Sequence, residues 1–450
     1  MASRHRATVA ERRHQRATIA WQLWIAAYLF ALLGPVALLA IGPEKGGDRL
    51  DLFALYAGYV AFTSYVLQLA LPARLPAVSR TFGVPLLLRV HKAVGPFVLG
   101  FAIFHAGLFA WHHDEYRGWL LWPFDDEPRA WLGWLGIVAL LALLLTTWLR
   151  RALHIRFEGW RLLHVLLGLV GTSAALAHVL VISWYSGWEP IRWMMIVLFA
   201  IGIASVAYLR VLRPFGRLAA PYVVTDVIPE RGGATTLQLQ ALDHDGVPFI
   251  PGQFAWLKVD GGAYTLDEHP FSFASSAADP LRPSFTMRAV GDFTHGASEI
   301  PPGTVVLLDG PHGAWTPALP AGGYLLIVAG IGITPAMSVL RTIADRGDRR
   351  PVTLLYGART WDDVTFRDEL QQLAARADLD IDVVIVLSRA EPEWGGVRGR
   401  LDAATIPSLL PPDAGARNVL VCGSPPMVDG VLDALNRIGV PDDLVYADRF

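Results

Sequence analysis

LLLRVHKAVGPFVLGFAIFHAGLFAW, residues 86–111, is an apolar run carrying His91 and His105 fourteen residues apart. LLHVLLGLVGTSAALAHVLVISW, residues 162–184, repeats the arrangement with His164 and His178. Both runs are long enough to cross a hydrocarbon core. Histidine inside such a segment is costly, so its presence points to function. Fourteen residues make nearly four helical turns, so each pair lies on one face with about 21 Å between its members along the axis. Two metal centres stacked across a bilayer, each gripped by two imidazoles, suit that geometry.

Working outward, four further apolar stretches read as spans: Ile19–Ile41, Leu52–Leu71, Leu132–Leu149 and Ile191–Leu212. The first is long and has no Ala-x-Ala-like exit, so it reads as a span and not as a cleaved signal. Basic residues cluster before span one (Arg4, Arg6, Arg12, Arg13, Arg16) and between spans two and three (Arg74, Arg80). They recur after span four (Arg150, Arg151, Arg156, Arg161) and after span six (Arg210, Arg213, Arg217). One opposite loop is acidic, with Asp114, Glu115, Asp125, Asp126 and Glu127. The positive-inside rule therefore puts both termini in the cytoplasm; the expected location is the cell's inner (plasma) membrane.

Composition agrees: 53% of the 450 residues are hydrophobic and 17% charged, too apolar for a soluble protein of this length. A net charge of −2 gives no reason to expect nucleic-acid binding. The single cysteine, Cys422, excludes an intrachain disulfide and a thiolate-held zinc or iron–sulfur centre. Any metal falls to histidine or carboxylate.

The faces that carry the pairs read His91, Gly95, Val98, Ala102, His105 and His164, Gly168, Gly171, Ala175, His178. Small side chains leave room for a flat macrocycle beside its axial ligands, which suggests haem; the competing reading is helix packing through small residues. Spans three and five run parallel, so His91 and His164 are expected to share an inner haem, and His105 and His178 an outer one. Val98 and Gly171 should line the gap between them. Bis-histidine ligation favours electron transfer over ligand binding at iron.

Beyond Arg217 the pattern becomes soluble. Tyr222–Ile228, Thr236–Leu242, Gln253–Val259, Ser284–Ala289 and Val305–Leu308 read as strands of a small antiparallel barrel. From Tyr324, the strands Leu325–Ala329, Val352–Tyr356, Ile381–Leu387 and Val419–Val421 alternate with helices Pro335–Arg346, Thr365–Ala375 and Pro426–Ile438. That is a parallel, Rossmann-like α/β pattern. The expected organisation is a cytoplasmic segment 1–17, a six-helix transmembrane haem domain 18–213, an antiparallel β-barrel 214–320 and a nucleotide-binding α/β domain 321–450. Gly330 and Gly332 follow a buried strand and open a helix, where backbone N–H groups can receive phosphate.

His269-Pro270-Phe271-Ser272 resembles the flavin-contact motif of ferredoxin-reductase-like flavoproteins, Gly291-Asp292-Phe293-Thr294 their pyrophosphate loop, and Gly310-Pro311-His312-Gly313 their Gly-Pro-x-Gly turn. Ala329-Gly330-Ile331-Gly332-Ile333-Thr334-Pro335 resembles their nicotinamide-nucleotide loop, and Cys422-Gly423-Ser424-Pro425-Pro426-Met427 their Cys-Gly-x-Pro-x-Met. Joined to a six-span bis-histidine core, these motifs resemble the NADPH oxidase and ferric reductase superfamily over nearly the whole chain. The resemblance implies FAD held by His269, Pro270, Phe271, Ser272, Arg288, Gly291 and Thr294, with Phe450 stacked on the flavin. It also implies a nicotinamide nucleotide held by Gly330, Gly332, Thr334, Pro335, Cys422, Gly423, Pro425 and Met427. Ser388-Arg389 and Arg359 are candidates for a 2′-phosphate, which favours NADPH over NADH. Two haem b groups would complete the path from flavin to the far side.

The activity implied is a superoxide-generating NAD(P)H oxidase, with no side chain acting as acid, base or nucleophile. A ferric-chelate reductase is the alternative, since His112, His113, Asp114 and Glu115 offer donors for hard iron. That run also reads as a solvated loop, or as an interface cap around Trp111, Trp119 and Trp122. Two other readings stay open: an electron donor to a quinone or partner protein, and a haem-free flavin reductase with a mere anchor. Oxygen or a ferric chelate and membrane lipid are the partners expected, with no obligate protein partner indicated.

Overall fold

The computed structural model describes residues 2–42, 48–121, 128–182, 187–215, 220–262, 264–313 and 322–449. Phe450, Trp122, Asp125, Asp126, Glu127 and Arg217 lie outside them. The chain separates into two compact units, one spanning His14–Gly216 and the other holding Arg217–Phe450.

Among the described residues of the first unit six helices are long and apolar enough to cross a membrane: Ile19–Ile41, Arg49–Ala73, Val84–His112, Pro128–Leu149, Phe157–Val181 and Glu189–Leu212, the first to sixth spans. The second starts sharply because the Asp48 carboxylate accepts the Leu50 and Asp51 N–H groups, satisfying two orphan donors. It ends where Pro72 supplies no N–H and Arg74 turns left-handed at φ 54°. A short helix, Pro76–Phe82, then leads through Gly83 (φ 74°) into the third span. Another, Asp114–Leu121, follows that span; neither short helix is evident from apolar runs.

Spans two and three form one tightly packed hairpin, spans four and five another. The second span is the central one: 61% of its apolar window is buried, against 11% for the third. Tyr59, Phe62 and Val66 on it pack with Ile191 and Met195 of the sixth. Gly202 permits that approach, since a Cβ there would meet Val66 Cγ1 at 3.0 Å.

The second unit contains two six-stranded sheets. The antiparallel one comprises β1 (Ala220–Glu230), β2 (Ala234–Ala241), β3 (Phe254–Val259), β4 (His269–Ser272), β5 (Ser284–Arg288) and β6 (Val305–His312), in the order β4-β3-β6-β1-β2-β5. Its ladder is open, and its two edges meet just beyond β4 through a single bridge between Phe273 and Phe285. Phe273 stacks on Phe249 at 3.9 Å between ring centroids, which plugs the same edge. Tyr222, Leu237, Leu257, Met287 and Leu308 fill the interior.

The parallel sheet comprises β7 (Tyr324–Ala329), β8 (Val352–Ala358), β9 (Ile381–Leu387), β10 (Val397–Arg398), β11 (Asn418–Gly423) and β12 (Val445–Arg449), in the order β10-β9-β8-β7-β11-β12. Helices α1 (Ile333–Arg346), α2 (Arg367–Ala374) and α3 (Pro425–Ile438) connect them. Strand order reverses between β7 and β11, so the carboxyl ends of these two strands form the switch-point crevice where such sheets bind ligands.

Candidate functional site

The membrane unit brings its four histidines into two pairs. The His91 and His164 ring centroids are 6.0 Å apart, and those of His105 and His178 are 6.2 Å apart. Two imidazole–metal bonds of about 2 Å, with a ring radius of about 1.1 Å on each side, require roughly 6.2 Å. Both pairs therefore stand at the separation that a metal held between them needs.

Ring orientation at the second pair is fixed from behind. His105 Nδ1 lies 2.7 Å from the Ala54 carbonyl and His178 Nδ1 2.6 Å from the Arg129 carbonyl. A carbonyl can only accept, so each Nδ1 carries the proton and each Nε2 keeps its lone pair. This is the outer-shell arrangement that sets a metal-binding imidazole's tautomer. Each carbonyl already accepts the N–H four residues on, from Gly58 and Gly133. Those residues must be small. A Cβ at Gly58 would sit 2.6 Å from His105 Nδ1, and one at Gly133 would sit 3.2 Å from His178 Nδ1.

At the first pair the support differs. Thr147 gives its hydroxyl proton to the Leu143 carbonyl at 2.6 Å, so its oxygen accepts from His164 Nδ1 at 3.3 Å. Trp160 Nε1 donates to the same oxygen at 3.3 Å. His91 Nδ1 is buried without a hydrogen-bond partner among the described residues, as are both side-chain polar atoms of the buried Gln68. The Gln68 carbonyl, deprived of its helical donor by Pro72, faces His91 but falls short of bonding geometry.

A cavity of about 700 Å³ adjoins His105 and His178, lined by Gly58, Ala102, Gly133, Gly136, Ala175 and other, mostly apolar, residues. That volume suits a cofactor-sized guest. The stripe residues divide between two jobs. Ala102, Val98 and Ala175 line the cavity, whereas a Cβ at Gly171 would collide with the Tyr65 hydroxyl. Tyr65, which also lines the cavity, thus occupies space that the sequence assigned to the gap between the pairs. Gly95 and Gly168 meet leucines at ordinary contact distance.

His112 and His113 do not sit in a loop. They close the third span, and their partners are the aspartates that open the second: His112 Nε2 is 2.8 Å from Asp48, and His113 Nε2 is 2.8 Å from Asp51. Asp114 pairs instead with Arg117 at 2.9 Å, almost fully exposed.

In the reductase unit His269, Pro270, Phe271 and Ser272 form β4, an edge strand where proline's missing N–H costs nothing. His269 stacks on Phe293 at 4.2 Å, and Phe271 lies 5.9 Å from the same ring. Phe293 thereby joins an aromatic strip that the motif named only in passing. Thr294 holds the turn: its hydroxyl accepts from Val290 and Gly291 N–H at 3.0 and 2.9 Å. Arg288 and Arg359, assigned to different nucleotides, converge on one carboxylate, Asp363, at 3.6 and 3.0 Å. Burial pushes the Asp363 carboxyl up, but Arg359, Thr360 and Arg288 outweigh it and hold it below the usual range.

At the switch point Gly330 adopts φ +55°, and nothing lies within 4 Å of where its Cβ would be. It opens the turn into α1 with Gly332, Thr334 and Pro335. Gly423, beside it on β11, allows Met427 Sδ to fold to 2.9 Å from the position a Cβ would take, with Pro425 starting α3. Cys422 is buried, and burial with the Asp448 charge pushes its thiol up. Ser388 and Arg389 leave β9 beside Arg359, whose carbonyl accepts the Arg389 N–H at 2.8 Å. Both side chains are exposed. β12 pairs in parallel with β11 as far as Gly423 and Arg449, tying the sequence's end to the crevice.

Two family models match. Residues 57–175 match the ferric reductase like transmembrane component and residues 326–433 the oxidoreductase NAD-binding domain. The reductase component of propane 2-monooxygenase from Rhodococcus jostii is 31% identical over 236 residues, covering 50% of this chain and 62% of that protein. The gamma subunit of sulfhydrogenase 1 from Pyrococcus furiosus is 31% identical over 204 residues, 44% of this chain and 67% of its own. Among solved structures, the ferredoxin reductase in carbazole 1,9a-dioxygenase aligns at 24% identity with a TM-score of 0.45, over 52% of this chain and 69% of its own. The chain thus spans somewhat under two thirds of the first of these relatives.

Fold and sites define an integral membrane oxidoreductase whose second unit holds an NAD-binding domain. The chain belongs to the NADPH oxidase and ferric reductase-like superfamily, with a ferric reductase-like membrane component fused to a ferredoxin-reductase-like electron-transfer unit.

Proposed function

We propose that the protein carries electrons from cytoplasmic NADPH across the plasma membrane to oxygen on the far side, giving superoxide. Four histidines set in two pairs at metal-bridging separation, three of them with Nδ1 turned to an acceptor, carry the reading. FAD, when bound, would supply the conversion of a two-electron hydride into single electrons, and two haem b groups would supply one-electron relay sites. His91 with His164 would hold the inner haem, and His105 with His178 the outer one. Ala54 and Arg129 keep the outer imidazoles in the Nδ1–H tautomer, and Gly58 and Gly133 keep the rings from being pushed aside. Phe271 and Phe293 offer the flavin an apolar wall; Gly330 and Gly332 present N–H groups to the nucleotide phosphates. Arg389, exposed and without an ion pair among the described residues, favours the 2′-phosphate of NADPH. Each NADPH releases two electrons and one proton, so two oxygen molecules become two superoxide ions.

A second reading, reduction of a metal ion, is favoured by the Asp51–His112–His113 cluster at the same end of the bundle as His105. The deciding experiment adds NADPH to the purified chain in detergent, with and without oxygen, following haem absorption and superoxide. Two haems per chain, reduced by NADPH and reoxidised by oxygen, are expected. Absence of haem defeats the relay; reduced haem indifferent to oxygen defeats the choice of acceptor.

A further inference from the structure

The second span begins, and the third ends, at one point of the bundle, and both contribute metal-binding side chains there. One donor atom each from Asp51, His112 and His113 lies within 4.8 Å of the others. Asp51 is buried, with a side chain only 9% exposed, while His112 and His113 are about one-third exposed. The group is therefore anchored on its protein side and open on the other. Its chemistry is selective: two imidazoles with one carboxylate suit first-row transition ions, whereas calcium and magnesium prefer all-oxygen sites.

A second carboxylate supports the first. Asp48 uses one oxygen to cap the second span and the other to hold His112 Nε2 at 2.8 Å. This is the carboxylate–histidine arrangement that aims an imidazole's remaining nitrogen at a metal. Bringing the three donors to the roughly 3.4 Å separation of a four-coordinate site takes side-chain rotations of about an ångström. The cluster also sits close to the outer histidine pair. The Phe109 ring lies 5.3 Å from His105 and 6.3 Å from His113, so a single phenyl ring separates the two sites.

We propose that Asp51, His112 and His113 bind a first-row transition-metal ion, one phenyl ring away from the outer histidine pair, and that this ion is an electron acceptor alongside oxygen. The acceptor role rests on the electron path proposed above; the binding role does not. For a trivalent ion, one NADPH reduces two ions to the divalent state, forming NADP⁺ and one proton. For Cu(II) the product is Cu(I), in the same two-to-one ratio.

The test uses Cu(II) as probe on the full, haem-loaded chain. Calorimetric titration and electron paramagnetic resonance should give one Cu(II) per chain with nitrogen couplings from two imidazoles. His113→Leu and Asp51→Asn should each weaken binding at least tenfold, and His112→Leu should remove one nitrogen coupling, with haem content unchanged. Stopped-flow anaerobic reduction of Cu(II) by NADPH should saturate as this site fills. Equal binding in wild type and all three variants overturns the proposal, as does Cu(II) held only at millimolar concentration. If Cu(II) binds as expected but NADPH never reduces the haems, the electron path fails and the binding site stands. If the haems are reduced and no such Cu(II) site exists, the reverse holds.

Discussion

Replacing Gly58 with alanine adds one methyl group in the second span, far in sequence from any histidine. Its carbon would sit 2.6 Å from His105 Nδ1, 2.8 Å from Cε1 and 3.1 Å from Cγ. Carbon needs about 3.5 Å or more from such atoms, so the imidazole must retreat by roughly 0.8 Å. The retreat stretches the 2.7 Å bond to the Ala54 carbonyl beyond the roughly 3.2 Å limit of a useful N–H···O bond. A buried donor left unpaired costs about 1–3 kcal/mol. That corresponds to roughly 5- to 150-fold weaker haem binding at the outer pair. Gly58→Ala should therefore purify with less than two haems per chain in the pyridine haemochromogen assay, and redox titration should show the outer component shifted or missing. Gly133→Ala, where the contact is 3.2 Å, should do the same more mildly. Gly107→Ala, with nothing within 4 Å, should do nothing. A Gly58→Ala protein with two haems and both potentials unaltered would refute the role given to the Ala54 carbonyl.

The reductase unit yields two shorter tests. Arg389→Ala should lower kcat/KM for NADPH by roughly 10- to 100-fold, the worth of one charge-assisted phosphate contact, and leave NADH nearly untouched; equal losses with both would remove Arg389 from the site. Cys422, with its thiol pushed up by burial and then by Asp448, should resist iodoacetamide at pH 8 in the folded chain. Its folded value stands above its unfolded one, so its contribution to stability is complete below about pH 8.5 and declines as pH rises beyond it. Cys422→Ala should flatten that alkaline decline in thermal melts, and an unchanged slope would count against it.

Apolar length and basic loops made the six spans legible, because a bilayer demands both. Equal histidine spacing made the pairing legible, because helix geometry allows little else. The supports behind the rings were not. Every residue has a carbonyl, so nothing in the identities of Ala54 and Arg129 marks them; only the glycine four residues after each is a trace. A stripe of small residues says that something comes close without saying what, which is why Gly171 turned out to accommodate Tyr65. The His112–His113 donors were visible, but the sequence paired them with adjacent Asp114 and Glu115. Helix capping instead delivers Asp48 and Asp51 from sixty residues away. β4 escaped notice because four residues beginning His-Pro carry no strand periodicity, although they held the most specific flavin motif.

Ala54 and Gly58 lie 75 residues before Arg129 and Gly133, and His91 and His105 lie 73 before His164 and His178. The two helical hairpins are thus two renderings of one plan, a carbonyl and a gap on the first arm and two imidazoles on the second. Packing is dense inside each hairpin and thin between them. Every histidine pair takes one ring from each rendering, so neither hairpin owns a complete site. The membrane unit is built as an internal dimer, and a group bound between the paired rings would clasp its halves. On the proposed reading, damage to one half would therefore strip a ligand from both ends of the electron path at once.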